Sequence, residues 1–360
     1  MTLNRRMAEF RPRVLPKRQR AGFVLREILF LFAVALLPIV LLLPAIQAAR
    51  EAARRMQCAN NLKLIGLALQ TYNDIWNKLP AGSTYTYPLD SAEINAAISE
   101  DNFGWGTAIL PQMERQGLYQ KIASDSSTFR QLDLARSIDV PDNLLAMQRP
   151  LGEFRCPSDQ GPHVNVARPL AGLRNASPQP LALSNYVAAN GSGELRRDEM
   201  QSAKVPNGVF FVNSWLRYGD VADGASNTIA VGERAWSRGG SWGRPAVEYR
   251  AGVVFGTRGV RQNSQHGLAD AMGCGKYRMN FTAVDASSGK GQEYARRAFS
   301  STHPGGAQFA FVDGSVRFLV ETIDADMDPT LQTLKSESDV NSVWEKLLSR
   351  NDGKEVGEYE

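Results

Sequence analysis

The longest break in the alternation of apolar and polar positions lies near the start of the chain, where Ile28 to Ile46 run for 19 residues without a charge. At a rise of 1.5 Å per residue this stretch spans roughly 28 Å, about one hydrocarbon core, and predicts a membrane-crossing helix. Beyond it Ala52, Met56, Ala59, Leu62, Ile65, Leu69 and Tyr72 recur at three- and four-residue spacing. Arg50, Glu51, Arg54, Arg55 and Lys63 fall largely off that stripe, so the helix is expected to continue as an amphipathic stem with its apolar face on a head domain. Asn73, Asp74 and Asn77, followed by Pro80, Gly82 and Pro88, end it.

After Pro80 the apolar runs become short and are punctuated by Gly and Pro, the pattern of strands and turns. Gly208 to Asn213, Thr228 to Gly232, Val253 to Gly256 and Ala307 to Leu319 are the strand candidates, and Gly106 to Ile122 is the one helical candidate. Segments 123–150 and 160–182 are polar or Pro-rich and read as variable surface loops. Near the acidic end Val340, Val343, Trp344, Leu347 and Leu348 mark a short amphipathic helix. The fold class is therefore α+β, with a long N-terminal helix packed on a β-rich, mainly antiparallel head, which the resemblance given below implies to be pilin-like. The segments are a basic leader at 1–22, a transmembrane helix at 23–46, a stem at 47–76, an extracytoplasmic head at 77–323 and an acidic tail at 324–360.

Charge sets the orientation. Before the apolar run stand Arg5, Arg6, Arg11, Arg13, Lys17, Arg18 and Arg20 against Glu9 alone, a leader of +6 that should stay in the cytoplasm while the rest is exported. An inner-membrane, single-pass protein with an extracytoplasmic head follows. Without those residues the chain holds 34 bases and 36 acids, so the basic balance belongs to the leader and a nucleic-acid partner loses its electrostatic support. The competing reading of the apolar run is a secretory signal cut near Ala45, Ala48 and Ala49, but Leu36 to Leu43 continue without a small-residue cleavage pattern.

Three cysteines, Cys58, Cys156 and Cys274, are too few for a disulfide scaffold and show no CxxC zinc pair. One bridge in any of three pairings, or three buried thiols, is compatible with the sequence.

Glu27 is costly one turn inside an apolar span and calls for a partner, unless it sits among headgroups beside Arg26. With Gly22 and Phe23 it resembles the type IV prepilin and type II secretion pseudopilin signature, in which a leader peptidase cuts after Gly and methylates the new N-terminal residue. The resemblance implies cleavage after Gly22, Phe23 as the first mature residue, and Glu27 as the fifth, where these families keep a glutamate that answers a neighbour's N-terminal amine during assembly. Pro44 becomes the twenty-second, another position of a kinking proline, whereas Arg26 and Pro38 depart from the pattern. The expected partners are the lipid bilayer, the leader peptidase and further copies or related subunits joined through the helix.

The stretch AAREAARRMQCANNLKLIGLALQTYND resembles a large bacterial set of prepilin-like proteins, abundant in planctomycetes, known as domain-of-unknown-function family 1559 and sometimes labelled solute-binding. The likeness recurs in WGTAILPQMERQGLYQKI at 105–122, FRCPSD at 154–159 with Cys156, SNYVAANGSG at 184–193, VADGASNTIAVGER at 221–234 with Asp223, Gly224, Ser226 and Asn227, and HPGGAQFAFVDGSVRFL at 303–319 with His303, Asp313 and Gly314. It implies a family and no activity.

His303 and Asp313 invite a dyad reading that local geometry opposes. Asp313-Gly314 is a two-residue type I′ hairpin signal, which pairs Val312 with Ser315 and Phe311 with Val316. Ala307, Phe309, Phe311, Val316, Phe318 and Val320 then share one apolar face. His303 and Asp313 stand roughly 20 Å apart at opposite ends of the strand. Asp313 is expected to shape the turn, and His303 to pack or hydrogen-bond in a loop unless it finds a remote partner.

Asp220, Asp223, Ser226 and Asn227 offer oxygens that suit calcium, but they lack the order of an EF-hand loop, and Asp223-Gly224 reads more simply as a turn. Glu233 and Arg234, adjacent at a strand end, are expected to be solvated or structural. His163 and His266 stand in loops without neighbouring ligands. No GxSxG, Walker loop, GxGxxG or HExxH occurs, and no cofactor or catalytic residue is expected. The function that follows is a non-enzymatic, anchored, pseudopilin-like protein, with a monomeric solute- or glycan-binding module as the alternative.

Overall fold

The computed structural model describes residues 25–84, 102–123, 134–172, 177–196, 206–239, 246–258, 267–282, 290–328, 333–336 and 339–357. Gly22, Phe23 and His266 lie outside them. Helix α1 runs from Leu25 to Trp76 through Pro38 and Pro44, and a long N-terminal apolar helix plus a sheet-rich, mostly antiparallel head makes the protein α+β. Two compact units divide the chain, Met1–Arg50 and Glu51–Glu360. In the first, Leu29, Leu36 and Leu41 are exposed, and the helix is long and apolar enough to cross a membrane.

In the second unit a five-stranded sheet is built from β1 (Tyr186–Gly191), β2 (Ile229–Glu233), β3 (Met272–Cys274), β4 (Gly306–Phe311) and β5 (Val316–Val320). Its order is β5-β4-β2-β1-β3, antiparallel except for the β1–β3 pair. Alternate residues feed two cores, because side chains of a strand point to opposite faces. Tyr186, Ala188, Ala310 and Val312 join the stem's Leu62, Ile65 and Leu69. Val187, Ala189, Phe309 and Phe311 join Trp344, Leu347 and Leu348 of the C-terminal helix, α2 (Val343–Leu348), which begins at a Ser342–Glu345 capping box. On that side Phe299, Phe309 and Trp344 meet edge to face, with centroids 5.4 to 5.9 Å apart.

The stem buries Cys58, Leu62, Ile65, Leu69 and Tyr72, but Ala52 and Met56 point outward, Met56 being 62% exposed. Near its start the helix meets the head through polar groups instead, with Glu51 at His303 and the Arg55 guanidinium 3.2 Å from the centre of the Phe318 ring. Apolar periodicity therefore fails for the turns below Cys58.

The β4–β5 hairpin is one residue out of the expected register: Ala310 pairs with Val316 and Phe309 with Arg317. Its loop has three residues, Val312, Asp313 and Gly314, closed by Phe311 N donating to Ser315 O at 2.9 Å, and only Gly314 is left-handed, at φ +78. The slip turns Leu319, not Val320, into the core, and leaves Val320 40% exposed. Gly314 sits against Gly66 of the stem, where a Cβ on Gly66 would approach its Cα to 3.1 Å, while Gln70 donates to the Asp313 carbonyl. We expect Gly314→Ala to cost about 1–2 kcal/mol from the left-handed backbone alone. Its urea midpoint should fall with an unchanged denaturant slope.

Elsewhere the helical candidate at 106–122 is broken into Trp105–Ala108, Leu110–Met113 and Gln116–Ile122, because Pro111 and the left-handed Glu114 interrupt it. Segment 123–150 is not simply a loop: Leu134–Ile138 and Pro141–Met147 are helical. Segment 160–182 is irregular yet partly internal, with Asn165, Arg168 and Leu170 buried. Arg168 is held by Asp270 at 3.1 Å and by the Tyr249, Arg250 and Arg296 carbonyls, which compensates its desolvation.

Candidate functional site

Four sequence motifs far apart along the chain meet where the stem enters the head. Glu51 and Cys58 lie two helical turns apart on one face of α1. Cys156, in the FRCPSD segment, is bonded to Cys58 across a 5.2 Å Cα separation, closing a loop of 98 residues, while Cys274 remains a buried thiol. Asn185, just before β1, accepts from Cys156 N at 3.0 Å and donates to Asp159, which also accepts from Trp236 N at 2.9 Å. Glu233 ends β2, and one of its oxygens accepts from Gln308 N at 2.9 Å.

His303, fully buried in the turn before β4, is the centre of this arrangement. Its Nδ1 lies 2.7 Å from Glu51 Oε1, and its Nε2 lies 3.5 Å both from Glu233 Oε1 and from Cys156 Sγ. Burial opposes the imidazolium, but hydrogen bonding and attraction from Glu233 and then Glu51 outweigh it and hold the His303 pKa above its usual value. Burial likewise pushes the Glu51 carboxyl up, while His303 and Arg54 pull it down further, to a net lowering. Two carboxylates thus flank the imidazole beside a disulfide and favour its protonated form.

This geometry fixes a pH dependence for the disulfide-bonded protein. A raised His303 pKa contributes stability fully below the usual 6.5 that is lost as pH rises through the higher folded value. A lowered Glu51 pKa contributes stability above the usual 4.5 that is lost as pH falls through the lower folded value. The pair therefore stabilises most between those two reference values. Glu51→Gln should remove the acid limb and move the alkaline limb to lower pH, measured as urea midpoints across pH 3 to 9, roughly the span of both titrations.

Glu51, His303 and Cys156 stand in the order of an orienting acid, a base and a nucleophile. The Cys156 sulfur, however, is already bonded to Cys58, and the adjoining cleft is about the volume of one water, lined by Asp159, Asn185, Glu233 and Ser300. The arrangement fastens the stem to the head. Further along, Asn61 donates to Arg155 O at 2.8 Å and Tyr186 to Cys58 O at 3.3 Å.

His303 and Asp313 do not meet: His303 touches the helix at Glu51 and the Asp313 carbonyl touches it at Gln70, 19 residues or roughly 28 Å along α1. The Asp313 carboxylate accepts from Ser315 N at 2.9 Å and shapes the turn. The calcium candidates diverge. Asp220 accepts from Arg217 N, whereas Asp223 accepts from Asp352 and Gly353 N of the C-terminal segment, and Asn227 donates back to the Asp223 carbonyl. Gly224 turns the chain there at φ +94, and Ser226 hydrogen-bonds the Asp313 side chain. Glu233 and Arg234, expected to be solvated or structural, are both buried. Arg234 donates to the Ala269, Met272, Arg297 and Ala298 carbonyls, and burial draws its pKa down to about 9. Glu27 and Pro44 are exposed on α1 in the first unit.

Neither Glu51 nor Glu233 stands out in the sequence as a partner for His303. The one usable signal was their position in shared motifs or beside one, at the stem and in VGER. A family model described as Protein of unknown function (DUF1559) matches residues 47–326. No curated protein and no solved structure matches the chain.

Proposed function

Because the chain belongs to the DUF1559 family, whose description carries no activity, we propose from its own residues that it is a non-enzymatic, membrane-anchored, pseudopilin-like protein. A leader peptidase cuts after Gly22, Phe23 becomes the N-terminus, and residues 23–46 hold the protein in the inner membrane with the head on the extracytoplasmic side. Copies or related subunits join through this helix into a secretion or surface structure. The observation that carries the reading is exposure: among the described residues, thirteen large apolar ones between Leu25 and Ile46, including Phe30, Leu37 and Leu42, face outward and need lipid or neighbouring helices to cover them. Glu27 among them is the group to answer a neighbour's amine.

Crosslinking of membranes carrying the full chain or Glu27→Ala tests assembly. The proposal expects a ladder of oligomers that the substitution abolishes; an unchanged ladder would count against assembly through Glu27.

One feature favours a second reading, an anchored solute- or glycan-binding module. A groove of about 460 Å³ is lined by Arg115, Leu118, Lys121, Asp142, Leu145 and Arg149, a size suited to a small ligand. Arg115 is already engaged by Glu153 at 2.7 Å, and the groove is open. Binding there would show as a glycan-dependent rise in melting temperature that an Arg149→Ala variant loses.

A further inference from the structure

The group around His303 has a second chemistry that the fastening role does not use. Cys58 Sγ, Cys156 Sγ, His303 Nε2 and Glu233 Oε1 all lie within 4.8 Å of one another, and all four residues are buried. Glu233 Oε1 is buried and makes no hydrogen bond of good geometry, its contact with His303 Nε2 being a long one of 3.5 Å. A buried carboxylate oxygen held only by so long a contact is better satisfied by a bonded cation. Two thiolates, an imidazole and a carboxylate are a zinc donor set, and tetrahedral bonds of about 2.0 to 2.3 Å place neighbouring ligand atoms roughly 3.3 to 3.8 Å apart. The two 3.5 Å separations from Nε2 already match that spacing.

We propose that this quartet has two alternative states, a disulfide when oxidised and a tetrahedral zinc site when reduced. The surrounding residues suit the second state as well as the first. Glu51 on Nδ1 fixes the tautomer that leaves Nε2 free to ligate, the carboxylate–histidine–metal arrangement that orients ligating imidazoles. Gln308 N holds the non-ligating oxygen of Glu233, and Asn185 holds the backbone of Cys156. A cleft about the volume of one water, lined by Cys156, Asp159, Glu233 and Ser300, adjoins the quartet.

The conversion balances with a dithiol reductant. Its first thiolate attacks one sulfur, breaking the Cys58–Cys156 bond, and its second closes it into a cyclic disulfide, so that two electrons pass to the protein and both cysteines become thiols. Zn²⁺ then displaces the two thiol protons and the Nε2 proton of His303 to solvent. Two thiolates and the Glu233 carboxylate against the dication leave the site with one negative charge, and the sulfurs separate to the contact distance of thiolates sharing one metal.

Anaerobic titration of the reduced full chain in detergent with Co²⁺ tests this, with the reductant removed beforehand. The expected result is one tight equivalent, with sulfur-to-cobalt charge transfer in the near ultraviolet, intense tetrahedral bands in the visible, and displacement by Zn²⁺. Glu233→Gln should weaken the affinity at least tenfold with both thiols still reactive, and Glu51→Gln should weaken it by about 10–100-fold by releasing His303 Nδ1. If the reduced chain loses its fold, Co²⁺ or Zn²⁺ should restore it, since metal binding and folding are coupled. The proposal is overturned if the reduced chain, folded or not, takes up no stoichiometric cobalt, if metal fails to restore a lost fold, or if binding is indifferent to Glu233→Gln.

Discussion

His303→Ala should lower the free energy of unfolding by about 3–5 kcal/mol, because it removes the cation from a buried pair and leaves its partner uncompensated. Glu233 is only 2% exposed, and its Oε1 would lose the imidazole that stands 3.5 Å away. Glu51 keeps Arg54 at 2.7 Å and so suffers less, which places most of the cost on Glu233. Urea unfolding at neutral pH measures the loss directly. Adding Glu233→Gln to His303→Ala should recover part of it, since the double variant no longer buries an unpaired charge. A loss under about 1 kcal/mol would mean that His303 and Glu233 do not form a buried charge pair.

Replacing both Cys58 and Cys156 by Ser is the second large effect, expected at about 2–5 kcal/mol in oxidised protein. The bridge closes a 98-residue loop, and the chain-entropy model gives roughly 4.7 kcal/mol for a loop near that length. The effect should vanish under reducing, metal-free conditions, where the wild type has lost the bridge too. Cys156 Sγ is 3.5 Å from His303 Nε2, so the two sets of substitutions should be non-additive in a double-mutant cycle. Independent losses would place the disulfide and the imidazole in separate networks.

Both effects concern the joint between stem and head, and this joint was only half legible in the sequence. The apolar half of the stem could be read from Leu62, Ile65, Leu69 and Tyr72, because burial of apolar faces leaves a helical period. The polar half could not, since Glu51 and Arg55 contact the head through an imidazole and an aromatic ring and leave no such period. Met56, placed on the contact face by periodicity, points away. The hairpin shows the same limit at finer scale. Its existence was plain from Asp313-Gly314, but a three-residue loop in place of two moved every partner by one and exchanged Leu319 for Val320 in the core.

The site itself was hidden for a different reason. Motifs mark where a family keeps particular residues and carry no distances between them, so Cys156, Glu233 and His303 could not be brought together before the sheet was in place. Glu233 read as a solvated or structural strand-end charge, and the buried environment that makes it a partner for His303 is a property of β2 lying between β1 and β4. A head beginning near Ala81 would lack Leu62, Ile65, Leu69 and Cys58, and with them part of its core and its disulfide.

The measurement that tests the central functional claim most directly is the mass of the mature N-terminus of the full chain isolated from membranes. The account predicts a protein beginning at Phe23 with a methylated amino group. A protein that retains residues 1–22, or one that begins near Ala49 after ordinary signal cleavage, would contradict it.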